Sequence, residues 1–314
     1  MSLKPKYKKI GFLILCLSNL DSLWAASCHS GGGGQVMNVL VSDQRYQLGG
    51  STQYRSVEGQ FDPYGHYSAN SPGTSKQSYV TTVGGAFRIN DEWQVGASLP
   101  MIHNDYAFST QHHTATNMGD PALEARYLFW EDLNFLTFHP EVSFYGGARL
   151  PLGNSIHHSH DTYDADVTGD GTTTLHGGIS VSKLYRPVRL SFDSAFFYPM
   201  TKHVTHMHDK PVSSPYAMKA GNRIQTTEGM TYLFNGWSSS LGLKQMWQFE
   251  TSVDGQDSQG SAARLFSSQA GLNYFYAEFW TVGISYETSF PFYKYEVNQP
   301  YAQTVALSIT YSAF

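Results

Sequence analysis

Charge and cysteine are both scarce in this sequence. Asp, Glu, Lys and Arg together make up 14% of its 314 residues, against about 25% in an ordinary soluble domain. The net charge is −5, and basic residues cluster only at the extreme N-terminus. A nucleic-acid partner is therefore excluded, because a phosphate backbone demands a cationic surface. The two cysteines are Cys16 and Cys28. Cys16 falls in an apolar leader, so an exported chain would keep one cysteine and form no intrachain disulfide. Long apolar runs are lacking too: the stretch 10–17 is too short to cross a bilayer as a helix, and a mean hydropathy of −0.33 is far from that of a helical membrane protein.

What is abundant is aromatic: 15% of the chain, with 21 Tyr and 19 Phe, beside 29 Gly. From about residue 46 onward, apolar and polar residues alternate with the period of a β-strand, whose successive side chains face opposite ways. Leu136, Phe138, Val142, Phe144, Ala148 and Leu150 share one parity, and Thr137, His139, Glu141, Ser143, Tyr145 and Arg149 the other. Trp280, Val282, Ile284 and Tyr286 alternate with Thr281, Ser285 and Glu287 in the same way. This pattern predicts twelve strands, at 46–61, 76–89, 92–106, 120–130, 136–151, 172–184, 187–199, 222–234, 237–252, 262–276, 279–292 and 301–314. Short and long connections alternate between them, as in transmembrane barrels with short periplasmic turns and long extracellular loops. The expected fold is all-β: a transmembrane antiparallel β-barrel of twelve strands, 45–314, with both termini in the periplasm. Trp93, Trp130, Trp237 and Trp280 stand beside short turns, where an interfacial aromatic girdle belongs. Two residues break the phase. Phe314, a terminal aromatic resembling the signal read by barrel-assembly machinery, would need a bulge near Ser312. Glu228 shares the apolar parity of Met230, Tyr232 and Phe234, so either a bulge lies there or the phase is wrong.

The N-terminus has the layout of a signal peptide, 1–27: Lys4, Lys6, Lys8 and Lys9, the apolar run, then Ala25, Ala26 and Ser27. Residues 28–44, rich in Gly, read as a flexible periplasmic tether. Ala-Ala-Ser-Cys28 resembles a lipobox with Ala25 in place of the usual Leu. Two readings stand: lipidation of Cys28, or ordinary cleavage nearby.

Four stretches carry a family resemblance: GGAFRINDEWQVGASLPM (84–101), MGDPALEARYLFW (118–130), SFYGGARLPLGN (143–154) and GDGTTTLHGGISVSK (169–183). In order and spacing they resemble outer-membrane barrels of the family named for the MetA pathway of phenol degradation and often labelled "transporter". The resemblance covers roughly 45–314. It implies an outer-membrane location, a lipid environment, and passage of a small aromatic or hydrophobic solute; it lends no catalytic residues. Nor does the sequence indicate a Ser-His-Asp or paired-acid arrangement, since His139 and Ser143 are too far apart along one strand to meet.

Charged residues are expected on the lumen side, because facing lipid is costly. That parity collects Arg88, Glu124, Arg126, His139, Glu141, Arg149, Arg189, Asp193, Lys244, Glu250 and Glu287, which would plug the interior with salt bridges, select a polar or zwitterionic solute, or do both. Eight of the 13 histidines fall in three long loops: His112 and His113; His157, His158 and His160; His203, His206 and His208. Clustered imidazoles are ligands for zinc or copper, and Met207 would add a soft donor. This gives an alternative function: metal binding or surface interaction, with the barrel as an anchor. Asp164, Asp166 and Asp170 resemble part of a calcium loop that lacks its terminal Glu.

Overall fold

The computed structural model describes residues 40, 44–132, 138–208, 210–276, 279–290 and 296–313. The expected leader, its cleavage site, Cys28 and Phe314 lie outside the described residues. Twelve strands form the wall: β1 (Tyr46–Phe61), β2 (Thr74–Arg88), β3 (Trp93–Phe108), β4 (Ala122–Trp130), β5 (Glu141–Arg149), β6 (Thr174–Tyr185), β7 (Val188–Pro199), β8 (Arg223–Phe234), β9 (Trp237–Gln248), β10 (Ala263–Tyr276), β11 (Trp280–Ser289) and β12 (Pro300–Ala313). Each pairs antiparallel with its neighbour in sequence, and β12 returns to β1, from Tyr46 opposite Ala313 to Gln60 opposite Pro300. The sheet closes on itself, so no strand of the wall is left with an open edge.

The distribution of polarity is the reverse of a soluble protein's. Side chains turned inward are polar and enclosed, such as Gln47, Ser143, Ser180, Ser238 and Ser267. Those turned outward are large, apolar and exposed: Leu48, Val83 and Leu307 each show about 60% of their surface. Exposed apolar surface on this scale marks a lipid-facing belt. Aromatic pairs rim it at the short-turn end, with Trp93 on Tyr127 at 5.1 Å, Trp237 on Tyr274 at 4.6 Å and Trp280 on Tyr311 at 5.0 Å between ring centres. Trp130 falls where a bulge between Leu128 and Trp130 shifts the β4–β5 register, which leaves both Phe129 and Trp130 exposed.

Several expectations need correction. The strand expected at 136–151 begins at Glu141, so His139 lies in the connection before β5, where its Nδ1 meets the Glu131 carbonyl at 3.0 Å. The strand expected at 237–252 ends at Gln248; Glu250 therefore belongs to the rim, accepting the Gly260 N–H at 3.1 Å. Among the described residues neither proposed bulge is present. Ser312 stays in register and receives a bond from the Gln47 side chain, and the ladder on both sides of Glu228 runs without a break. Glu228 thus does point outward, near mid-strand, between Phe192 and Leu243 on the flanking strands. Pairing outweighs the burial preference of one side chain, because a bulge would leave a residue unpaired in the ladder.

A carboxyl in that belt costs stability, though less than Lys or Arg would. Glu228→Leu is therefore expected to raise the stability of the vesicle-inserted barrel by about 1–2 kcal/mol, read as a higher urea midpoint. An unchanged or lowered midpoint would mean that the carboxyl is not facing lipid alone.

Candidate functional site

Chain segments enter the lumen from both ends. At the short-turn end, Leu40 lies enclosed, its N–H bonded to Gln94 Oε1 at 2.9 Å and its carbonyl accepting from Arg88 Nη2 at 3.0 Å. Gln94 and Arg88 both face inward, so Leu40, within the expected tether, is held inside the wall. Two inward side chains of the wall thus satisfy the backbone amide and carbonyl of Leu40.

At the other end the connection 150–173 folds across the mouth. Asn104, inward on β3, donates to the carbonyls of Ala165 at 2.8 Å and Val167 at 3.1 Å, and accepts from the Ser78 hydroxyl at 2.7 Å. Asp120 receives the N–H of Gly153 at 2.9 Å and of Asp170 at 2.7 Å. Thr168 donates to the Met118 carbonyl at 2.8 Å. Gly153 and Gly169 lie back to back, where a Cβ on either would come within 2.8 Å of the other's Cα. Within the connection, burial alone would raise the Asp166 carboxyl; the Ser159 hydroxyl and His160 N–H outweigh it and hold the group below its ordinary value.

Between the two closures lies a cavity of about 530 Å³, lined by β1–β8 and by residues 167–170. On one side its charges are engaged with one another. Glu124 pairs with Arg126 at 3.5 Å and with His176 at 3.4 Å, Arg126 stacks over the Tyr145 ring at 4.8 Å, and the Tyr145 hydroxyl donates to Asp193 at 2.7 Å. Further round the wall, Lys244 and the Ser267 hydroxyl both meet Glu287, at 3.1 and 2.8 Å. Arg149 and Asp193 border the cavity; Glu141 and Arg189 sit inward near the short-turn end, with Arg189 almost fully enclosed. Arg55 and Lys76 also face the lumen and were not among the residues expected there. Both were accessible to the same parity argument: Lys76 shares its phase with Arg88, and Arg55 with Gln47, Ser51 and Gln53.

The loop histidines are distributed rather than gathered. His112 pairs with Asp105 at 2.6 Å, His113 with Asp161 at 3.0 Å and His208 with Asp164 at 3.6 Å. His157 is buried in the short turn 156–158, and burial, helped by Lys202, pushes its imidazole down toward the neutral form. His206 meets the Thr205 hydroxyl at 3.0 Å, and His203 is exposed on the hairpin formed by Lys202–Met207 and Lys210–Lys219. Among the described residues, no three of His, Cys, Asp or Glu are arranged to hold a metal ion. The acids of the calcium-like run diverge as well: Asp166 turns to Ser159 and His160, Asp170 toward Arg223.

No family model matches the chain, and no curated protein matches it. Among solved structures, an outer-membrane channel from Pseudomonas putida F1 superposes with a TM-score of 0.68 over 87% of this chain and 97% of its own, at 13% identity. The chain has the fold of an outer-membrane β-barrel. The β-domain of the Bordetella autotransporter BrkA covers 86% of this barrel and 100% of its own length with a TM-score of 0.46 at 11% identity.

Two outcomes follow for the closures of this barrel. Asn104→Ala strips two buried carbonyls of their donor, a loss of about 1–3 kcal/mol. It should speed amide exchange and protease cleavage within 150–173 while leaving the wall protected; equal protection in wild type and variant would refute the anchoring. At the rim, Glu296 is fully enclosed, and burial pushes its carboxyl up to about 8 against the opposing backbone at Phe266 and Phe290. The folded rim then keeps a proton that the unfolded chain has released. Its stabilisation is complete below the ordinary value of 4.5 and is lost as pH rises through about 8. Glu296→Gln should flatten that part of the pH dependence of the urea midpoint.

Proposed function

We propose that the protein is a passive channel of the outer membrane for a small solute, with its termini and short turns in the periplasm and its long connections outside the cell. The observation that carries this reading is the inverted polarity of the closed wall: an apolar belt outside, and inside it a polar cavity of about 530 Å³. A barrel serving only as an anchor has no use for such a space, and its size is in the range that small-molecule sites occupy. Mixed charge along the lining would set selectivity, as it does in other pores. Both closures are held by hydrogen bonds on separate segments, Leu40 at one end and 150–173 at the other, so passage requires them to give way rather than the wall to open. The similarity in fold to the Pseudomonas putida channel agrees with this reading.

Reconstituted in planar bilayers, the full chain should show discrete conductance steps, and removal of residues 156–168 should enlarge them several-fold. A silent bilayer with both proteins would sink the channel reading and leave the barrel as a binding platform.

A further inference from the structure

Four inward cations, Arg55, Lys76, Arg149 and Arg189, have no hydrogen-bond or ion-pair partner among the described residues, and the first two stand next to each other on adjacent strands. Arg55 on β1 is exposed to the lumen, and neither it nor Lys76 on β2 makes a hydrogen bond or ion pair with any described residue. The two stand at diagonal positions of the β1–β2 ladder, where Arg55 faces Ser78 and Lys76 faces Val57. Like charges at such neighbouring positions repel, and no carboxylate among the described residues is ion-paired to either. The inward faces of β12, β1, β2 and β3 hold no carboxylate: Glu58 and Asp105, the acids of these strands, both turn outward. The acid whose field reaches Arg55 is Glu287 on β11, already bonded to Lys244 and Ser267.

The ground around these cations is also distinctive. The Lys76 ammonium stands 5.8 Å from the Tyr106 ring centre and 5.5 Å from that of Phe108. Just deeper on the same wall, Val80 on β2 lies beside Ile102 on β3, with Pro100 following, three apolar residues at inward positions. The cationic pair therefore sits directly above an apolar shelf; Arg55, the shelf and Tyr106 border one cavity, and Lys76 stands beside Tyr106.

We propose that this sector of the lumen is a binding station for a small organic acid, with the carboxylate held by Arg55 and Lys76 and an apolar body lying on Val80, Pro100 and Ile102. Guanidinium matches a carboxylate in a planar, two-point arrangement, and the flexible ammonium adds a second charge-assisted bond. Binding relieves the repulsion between the two cations and covers the shelf from water, so the charge and the apolar part of the solute are each recognised by a separate feature. The station deepens the channel reading by naming the class of solute, and it rests on that reading only for its role in passage; binding itself is independent of flux.

The test is calorimetric titration of the full chain in detergent micelles, with empty micelles as the blank, using benzoate, its neutral isostere benzamide, and chloride as probes. Benzoate should bind at least about tenfold more tightly than benzamide, the value of one charge-assisted pair, and chloride should compete only weakly because it has no body for the shelf. Arg55→Gln with Lys76→Gln should erase the preference for benzoate over benzamide, and Arg55→Lys should keep part of it. Heat-shifted gel migration of each variant reports that the barrel is closed. Equal binding of benzoate and benzamide by the unaltered protein would overturn the station, as would a preference that survives the double substitution in a closed barrel. Chloride competing as strongly as benzoate would reduce it to a simple anion site and equally overturn the proposal. Benzoate binding by a barrel that never conducts would refute the channel and leave the station standing; conductance without binding would do the reverse.

Discussion

The pairing of β12 with β1 is the constraint on which the rest of this molecule depends. In a hydrocarbon layer an unpaired backbone amide has no water to turn to, and the fourteen-residue strand at the end of the chain meets the sixteen-residue strand at its beginning along nearly their whole length. Once the ladder closes, the face of every wall residue follows from its parity, and no local preference can be satisfied by slipping the register without moving all the others. Glu228 shows the strength of that coupling. Its side chain belongs inside, yet a shift to put it there would turn Met230 and Tyr232 into the lumen and break the ladders to Phe192 and Leu243.

The same coupling explains why the wall could be read from sequence. Strand number, order and boundaries come from a period-two pattern repeated over many residues, so single exceptions do not mislead it; β1 and β7 fall within one residue of expectation. Boundaries drifted where alternation continues past the last paired residue, as at His139 and Glu250. The lumen charges were legible for the same reason, and the engaged cluster of Glu124, Arg126 and His176 is built from residues that parity alone placed on one face.

What was not legible is what leaves the ladder. The loops gather His and Asp in local sequence, but in space His112, His113 and His208 are each paired with a single carboxylate from elsewhere in the chain, and no periodicity reports that partner. The fold of 150–173 across the mouth rests on Asn104, more than sixty residues from the carbonyl of Val167 it holds. Leu40 was expected in a tether because Gly-rich sequence predicts flexibility; its neighbours Gln94 and Arg88 are what retain it. Arg55 and Lys76 were overlooked for a different reason. Parity alone places them inside, and their significance lies in the partners they do not have, which only the whole lining reveals.

Alternation has a further consequence, concerning how such a chain reaches its membrane. Along much of the wall, as at 280–287, polar or small residues interrupt the apolar ones, and the mean hydropathy of the chain is −0.33. The continuous oily surface does not exist in the linear polymer; it is created when neighbouring strands bring their outward rows side by side. A translocating chain of this kind presents nothing for a bilayer to capture along the way and can travel as a polar polymer through water. Its affinity for lipid is a collective property that arises only on assembly, so insertion and closure become one event, and the protein is concealed from every membrane except the one in which it folds.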